Sequence, residues 1–216
     1  MAAPGRSMVA VFSLAGFASG LVIVPLALLW MPIVFVCEGA LFALGFALGY
    51  AACRRALPCV GALRFCGALF VLAIGYPVAI GFGGALSLAT QFLMQKFAGL
   101  TPAVQDAAPL TILGFLLFWG ALSAAFFVKM ALTLITCEWD NRILLLLALA
   151  GILSAGVSFG VYLFFYDSPD PTITRYRELA LFGVMAPLGN AAFGAACGYG
   201  IKRAMRTEMR AAPAMK

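Results

Sequence analysis

A single carboxylate stands where carboxylates are expensive. From Met8 to Cys53 the only ionisable side chains are Cys37, Glu38, Tyr50 and Cys53. A carboxylate in so long an apolar stretch must be protonated, paired or turned toward a wet cavity. Two readings fit Glu38: a group that binds a proton or cation in a permeation route, or a hydrogen-bonded lock on helix packing. Lys129 lies in a second apolar stretch, but its long stem lets the ammonium reach the membrane interface. The sequence therefore assigns Lys129 to anchoring, in the leaflet opposite Glu38, and does not pair the two.

Three further groups of residues could line a site with Glu38. Gly75-Tyr76-Pro77 is followed by Gly81-Phe82-Gly83-Gly84, a concentration of helix-weakening residues that predicts an interrupted helix of the kind that lines substrate sites in transporters. A kinked packing helix is the competing reading, because Gly and Pro are common in membrane helices and glycine permits close contact. Ser154, Ser158 and Tyr162 recur at four-residue intervals and share a helix face. They can bond across a bundle, or the serines can bond back to their own helix. Tyr162 is expected at the depth of Glu38.

Other chemistries are excluded or poorly supported. The chain has no histidine, which removes histidine-ligated haem and metal sites and any nucleophile activated by imidazole. No Walker motif, dinucleotide fingerprint or paired-cysteine motif occurs, so neither a cofactor nor a metal is implied. An enzyme is disfavoured; a lipid-modifying one would need a polar cluster at one interface, and Cys137 to Arg142 and Asp167 to Glu178 read as ordinary charged turns.

The elements that must carry these residues follow from composition. Of 216 residues 64% are hydrophobic and 10% charged, whereas a soluble domain holds roughly 45–50% and 25%. Spans of about 20 apolar residues predict an all-α, multi-pass bundle of six transmembrane helices, at about 8–30, 33–52, 65–95, 110–136, 143–166 and 179–201. Trp30-Met31-Pro32 marks the first break. A cleaved signal peptide would end near Gly16-Phe17-Ala18, but the apolar run continues well past it, so the first span is expected to be retained. A basic tail, 202–216, follows the last span.

Positive charge sets the orientation. With both termini cytoplasmic, that side holds Arg6, Arg54, Arg55, Arg64, Arg142, Lys202, Arg203, Arg206, Arg210 and Lys216, against Lys96, Arg175 and Arg177 outside. Cys53, Cys59, Cys66, Cys137 and Cys197 then fall near the reducing side and only Cys37 toward the outside, so no disulfide framework is implied. The compact layout suits a bacterial inner membrane. Lys202, Arg203, Arg206 and Arg210 are suited to anionic lipid headgroups on the cytoplasmic side. Nucleic acid is a poor inference, because the net charge of +6 already follows from sidedness.

Small-residue spacing at Gly16/Gly20, Gly45/Gly49, Gly156/Gly160 and Gly194/Gly198 allows close helix packing, within the bundle or in a homo-oligomer. Gly49-Tyr50 before Arg54 faintly resembles Gly198-Tyr199 before Lys202, but an interfacial Tyr followed by cytoplasmic cations is common to inward-running helices. The residues support a small-solute or ion transporter or channel. The alternative is a non-catalytic subunit or assembly factor of a larger membrane complex.

Overall fold

The computed structural model describes residues 4–29, 31–54, 57, 60–98, 108–165 and 171–211. Among them every regular element is helical: α1 (Pro4–Leu29), α2 (Met31–Cys53), α3 (Ala62–Ala98), α4 (Ala108–Thr136), α5 (Asn141–Phe164) and α6 (Pro171–Ala211). The helices reproduce the expected succession, and their ends shift by a few residues except in α6. That helix begins eight residues before the expected apolar start and runs ten past its end. Pro171 suits a first turn, where its missing N–H is no loss, and the Arg, Glu and Met of the flanks are good helix formers, so polarity ends the apolar segment without ending the helix.

Among the described residues four helices carry a stretch long and apolar enough to cross a membrane: Met8–Leu26, Ala62–Leu93, Thr111–Thr136 and Asn141–Phe164. In α2 the described apolar stretch, Cys37–Cys53, is shorter. By length and composition these helices mark a membrane protein.

Each helix packs on the next, and α6 closes back on α1, giving a ring in chain order; α4 also touches α6 across it. Glycine contacts define the pairing. A Cβ at Gly16 would meet the Asn190 carbonyl, one at Gly20 the backbone of Ala186 and Pro187, one at Gly194 the Phe12 carbonyl, and one at Gly198 the backbone of Met8 and Val9. The two expected small-residue pairs of α1 and α6 thus lie along one antiparallel seam, each set against backbone of the other helix. It follows that the start of α1 and the end of α6 lie at one end of the bundle. The α4–α5 turn joins them there, since Asp140 binds Arg203 of α6. Lipid is as apolar as leucine, so close backbone approach and dispersion, not exclusion from water, must hold such helices together.

The main core draws on all six helices, with Phe12, Phe42, Leu72, Val128, Leu147 and Phe193 among its buried members. The outside is equally apolar: Leu14, Leu48, Leu63, Phe70, Leu145, Leu153 and Phe164 are exposed. That distribution suits a solvent of hydrocarbon, since a soluble monomer rarely exposes large contiguous apolar patches.

The expected interruption of the third helix does not occur. α3 runs unbroken for 37 residues with Pro77 inside it. The carbonyl that Pro77 cannot bond in an α-helix is that of Ala73, four residues back. Gly39 of α2 packs so closely there that an added Cβ would lie 2.4 Å from the Ala73 oxygen. The freed carbonyl is therefore covered by a neighbouring helix, with a Cα–H as its weak partner. Gly75 and Gly83 pack against Phe127 and Gly120 of α4. The glycines of this segment are packing residues, as the competing reading held, except Gly81, which faces outward with open space beside it.

Candidate functional site

Inside the ring lies a cavity of about 70 Å³ walled by five helices. α2 contributes Glu38; α3, Tyr76 and Ile80; α4, Leu116, Leu117, Gly120, Ala121 and Ala124; α5, Gly151 and Ser154; α6, Met185, Gly189, Asn190 and Phe193. A smaller void of about 20 Å³ shares Tyr76, Ala124, Asn190 and Phe193 with it. Glycine and alanine make the room: where α4, α5 and α6 offer Gly120, Ala121, Gly151 and Gly189, no side chain fills the centre.

Glu38 is 2% exposed and lies seven residues into α2, about 11 Å along its axis from Met31. The Tyr76 hydroxyl donates to its carboxylate. The second oxygen, Oε2, is buried with no hydrogen-bond partner. Leaving such an acceptor unsatisfied costs on the order of 1–3 kcal/mol, more if charged. Among the described residues the other buried side-chain atom in that condition is Trp119 Nε1, and Trp119 does not line the cavity.

Asn190 is the polar wall residue opposite Glu38. It is buried, and its Nδ2 donates to Ser19 Oγ of α1 at 3.4 Å, while Ser19 Oγ donates to the Gly16 carbonyl at 2.7 Å. That bond uses one of the two Nδ2 hydrogens; the amide also carries a second N–H and the acceptor Oδ1. Ser154 Oγ donates to the Gly151 carbonyl at 3.0 Å and also borders the cavity.

The sequence-derived candidates separate as follows. Glu38, Tyr76 and Ser154 meet at the cavity. Ser158 is fully buried and donates to the Ser154 carbonyl at 2.7 Å, a bond within its own helix. Tyr162 packs with Leu113, Phe159 and Met185 around a small cluster of Leu117, Ala121 and Ala155. Pro77 is half-buried beside Tyr76 on α3, and Gly84 stands 3.8 Å from Leu116 by the same added-Cβ measure. Asn190 and Ser19 belong to no motif in the sequence. The available signal was that Asn190 is the one amide in the apolar segment of its helix, and a polar group at membrane depth is costly enough to need a reason.

At the end of the bundle where α1 begins and α6 ends, several charged side chains have partners. Lys129, also 2% exposed, reaches the α4–α5 turn, where its Nζ donates to the Glu138 carbonyl at 3.2 Å and sits 5.2 Å from the Trp139 ring centre. Asp140 caps α5 by accepting from the Arg142 amide at 2.9 Å and holds Arg203 at 2.8 Å. Arg64 Nη1 donates to Cys137 Sγ at 2.7 Å. Of the proposed headgroup cations, Arg203 is therefore engaged, Lys202 is half-buried and Arg206 exposed; the Arg210 side chain lies outside the described residues, as does Cys59. The described cysteines, Cys37, Cys53, Cys66, Cys137 and Cys197, are free thiols.

No family model, curated protein or solved structure matches this chain. Its function has to be argued from the cavity.

Proposed function

We propose that the chain threads a cell membrane six times, with both termini on the cytoplasmic side, and carries a small solute or ion through the Glu38 cavity. The observation that carries the reading is the unpartnered oxygen of a fully buried carboxylate in a void walled by five helices. A carboxylate kept only for packing would have both oxygens satisfied. The gathering of Arg54, Arg64, Arg142, Lys202, Arg203 and Arg206 toward one end, with Lys96 at the far end of α3, supports the orientation. A bacterial inner membrane is the expected host, and anionic headgroups are the expected contact of Lys202, Arg206 and Arg210.

The test is flux in proteoliposomes. The protein should exchange small cations or protons across the vesicle membrane, and Glu38→Gln, which keeps shape and removes charge, should lower the rate at least tenfold while the protein still purifies as a folded species. Equal flux in the variant would overturn the role of Glu38.

A second reading, a non-catalytic subunit of a larger membrane complex, draws on α5. Gly156 and Gly160 have nothing within 4 Å of an added Cβ, and Leu149, Leu153, Val157 and Phe164 on the same helix are exposed. This is the face through which a neighbouring helix would pack closely. Absence of any flux, together with stoichiometric partners on native purification, would select this reading.

A further inference from the structure

We propose that the cavity binds a small monovalent organic ammonium, with its N–H groups on the Glu38 carboxylate and its hydrocarbon part on Ile80, Leu117, Met185 and Phe193. This rests on the reading of the cavity as a binding site and adds the class of its occupant.

The cavity wall holds one carboxylate and no basic side chain, so an anion is repelled and a singly charged cation balances the site. A bare metal ion is poorly served. Hard cations take about six or more oxygen ligands, whereas the side chains here offer Glu38, Tyr76, Ser154 and Asn190. Tyr76 has its proton committed to Glu38, and the Ser154 hydroxyl donates to Gly151. The other side chains are hydrocarbon, sulfur and aromatic ring, and Gly120, Gly151 and Gly189 lie inside continuous helices whose carbonyls are engaged in the helix ladder, so neither replaces a hydration shell. A proton alone would need no void.

An alkylammonium meets each feature. Its nitrogen carries up to three donors for the Glu38 carboxylate, and the charge-assisted bond to a carboxylate is among the stronger kinds. Its alkyl part gains from the apolar wall, to which Phe193 and Tyr76 contribute aromatic residues. Size follows from the volume. An apolar cavity of about 150 Å³ takes a six-carbon ring, so one of about 70 Å³ takes about three heavy atoms, one nitrogen and two carbons.

The experiment is titration calorimetry on the full-length protein in lipid nanodiscs, with ethylammonium, its neutral isostere ethanol, n-octylammonium, sodium and potassium. Ethylammonium should bind at least tenfold more tightly than ethanol and than octylammonium, sodium and potassium should give no heat of binding, and Glu38→Gln should erase the preference for amine over alcohol. Ethanol binding as tightly as ethylammonium, or saturable sodium or potassium binding without amine binding, would overturn the proposal. Should Glu38→Gln fail to fold, Tyr76→Phe, which loosens the carboxylate without removing it, should weaken ethylammonium severalfold; unchanged affinity would count against the site. Failure of the carrier reading is separable. Amine binding in nanodiscs without flux in vesicles removes transport and keeps the ligand class, whereas flux of other cations with no amine binding does the reverse.

Discussion

Two polar regions, both organised around α4, are built on opposite plans. At its end, the turn to α5 gathers Lys129, Asp140, Arg203, Arg64 and Cys137, and each makes a hydrogen bond or ion pair. Midway along the bundle the cavity presents Glu38 with one oxygen held by Tyr76 and the other open. The turn region is closed chemically: it ties α3, α4, α5 and α6 together and leaves little for a ligand. The cavity is open in the same sense, and an unfinished hydrogen-bond set persists only where something other than stability maintains it. Burial alone does not separate them, because Glu38 and Lys129 are equally covered. Satisfaction of their polar atoms does.

The largest expected effect breaks the cavity and spares the turn. In Gly39→Ala the new Cβ would fall 2.4 Å from the Ala73 carbonyl oxygen, 2.9 Å from that of Leu72 and 3.0 Å from the Tyr76 Cβ. Two of these neighbours are backbone and cannot swing aside, so α2 and α3 must part. Overpacking of this kind costs roughly 1–3 kcal/mol, and here it also draws Glu38 away from Tyr76. Thermal unfolding should show a clear loss of stability, and any ligand binding at the cavity should fall at least tenfold. The accessibility of Cys137 to thiol reagents below the melting temperature should stay as in the parent, because its partner Arg64 sits in the first turn of α3, nine residues and about 14 Å before Ala73. A variant as stable as the parent would show that the α2–α3 seam is looser than described.

A middle-sized effect should do the converse. Asp140→Ala removes a helix cap, which is worth about 1 kcal/mol, and an ion pair with Arg203 that is partly exposed and screened by salt, worth at most about 1 kcal/mol. The melting temperature should fall by a few degrees, with the ion-pair share of the loss disappearing in high salt, and ligand affinity and flux should stay as in the parent. A matching loss of binding would mean that the two regions are coupled through α4 and that their separation is false.

How much of this was legible in the sequence depended on whether the deciding physics was local. Glu38 was legible because a carboxylate inside twenty apolar residues is costly whatever surrounds it. The close-packing glycines of α1 and α6 were legible as a type, but their mutual pairing is set by the ring closing and leaves no local mark. The break at Pro77 was expected for a sound local reason, a missing amide hydrogen, and was overruled by a residue of another helix, Gly39, which covers the freed carbonyl. Tyr76 drew notice as part of that break, whereas its role in the structure is to hold Glu38. Asn190 drew none, although it is the polar residue of α6 that completes the wall.

The smallest expected effect concerns the serine face of α5 and sharpens where the cavity ends. Ser154 borders the void, but Ser158, one turn further, does not, and its hydroxyl donates to the Ser154 carbonyl of its own helix. In Ser158→Ala that carbonyl keeps its regular partner, the amide four residues on, which is the Ser158 backbone N–H itself. No buried group is orphaned, and only a small void the size of one oxygen is left. Stability should therefore change by less than about 0.5 kcal/mol, with ligand affinity unaltered. Ser154→Ala should in contrast weaken binding by a few-fold, since it removes a polar atom from the wall. If Ser158→Ala instead matched or exceeded that loss, the occupied volume would have to extend past Ser154 toward Tyr162, and the alkyl chain it accepts would be longer than about two carbons.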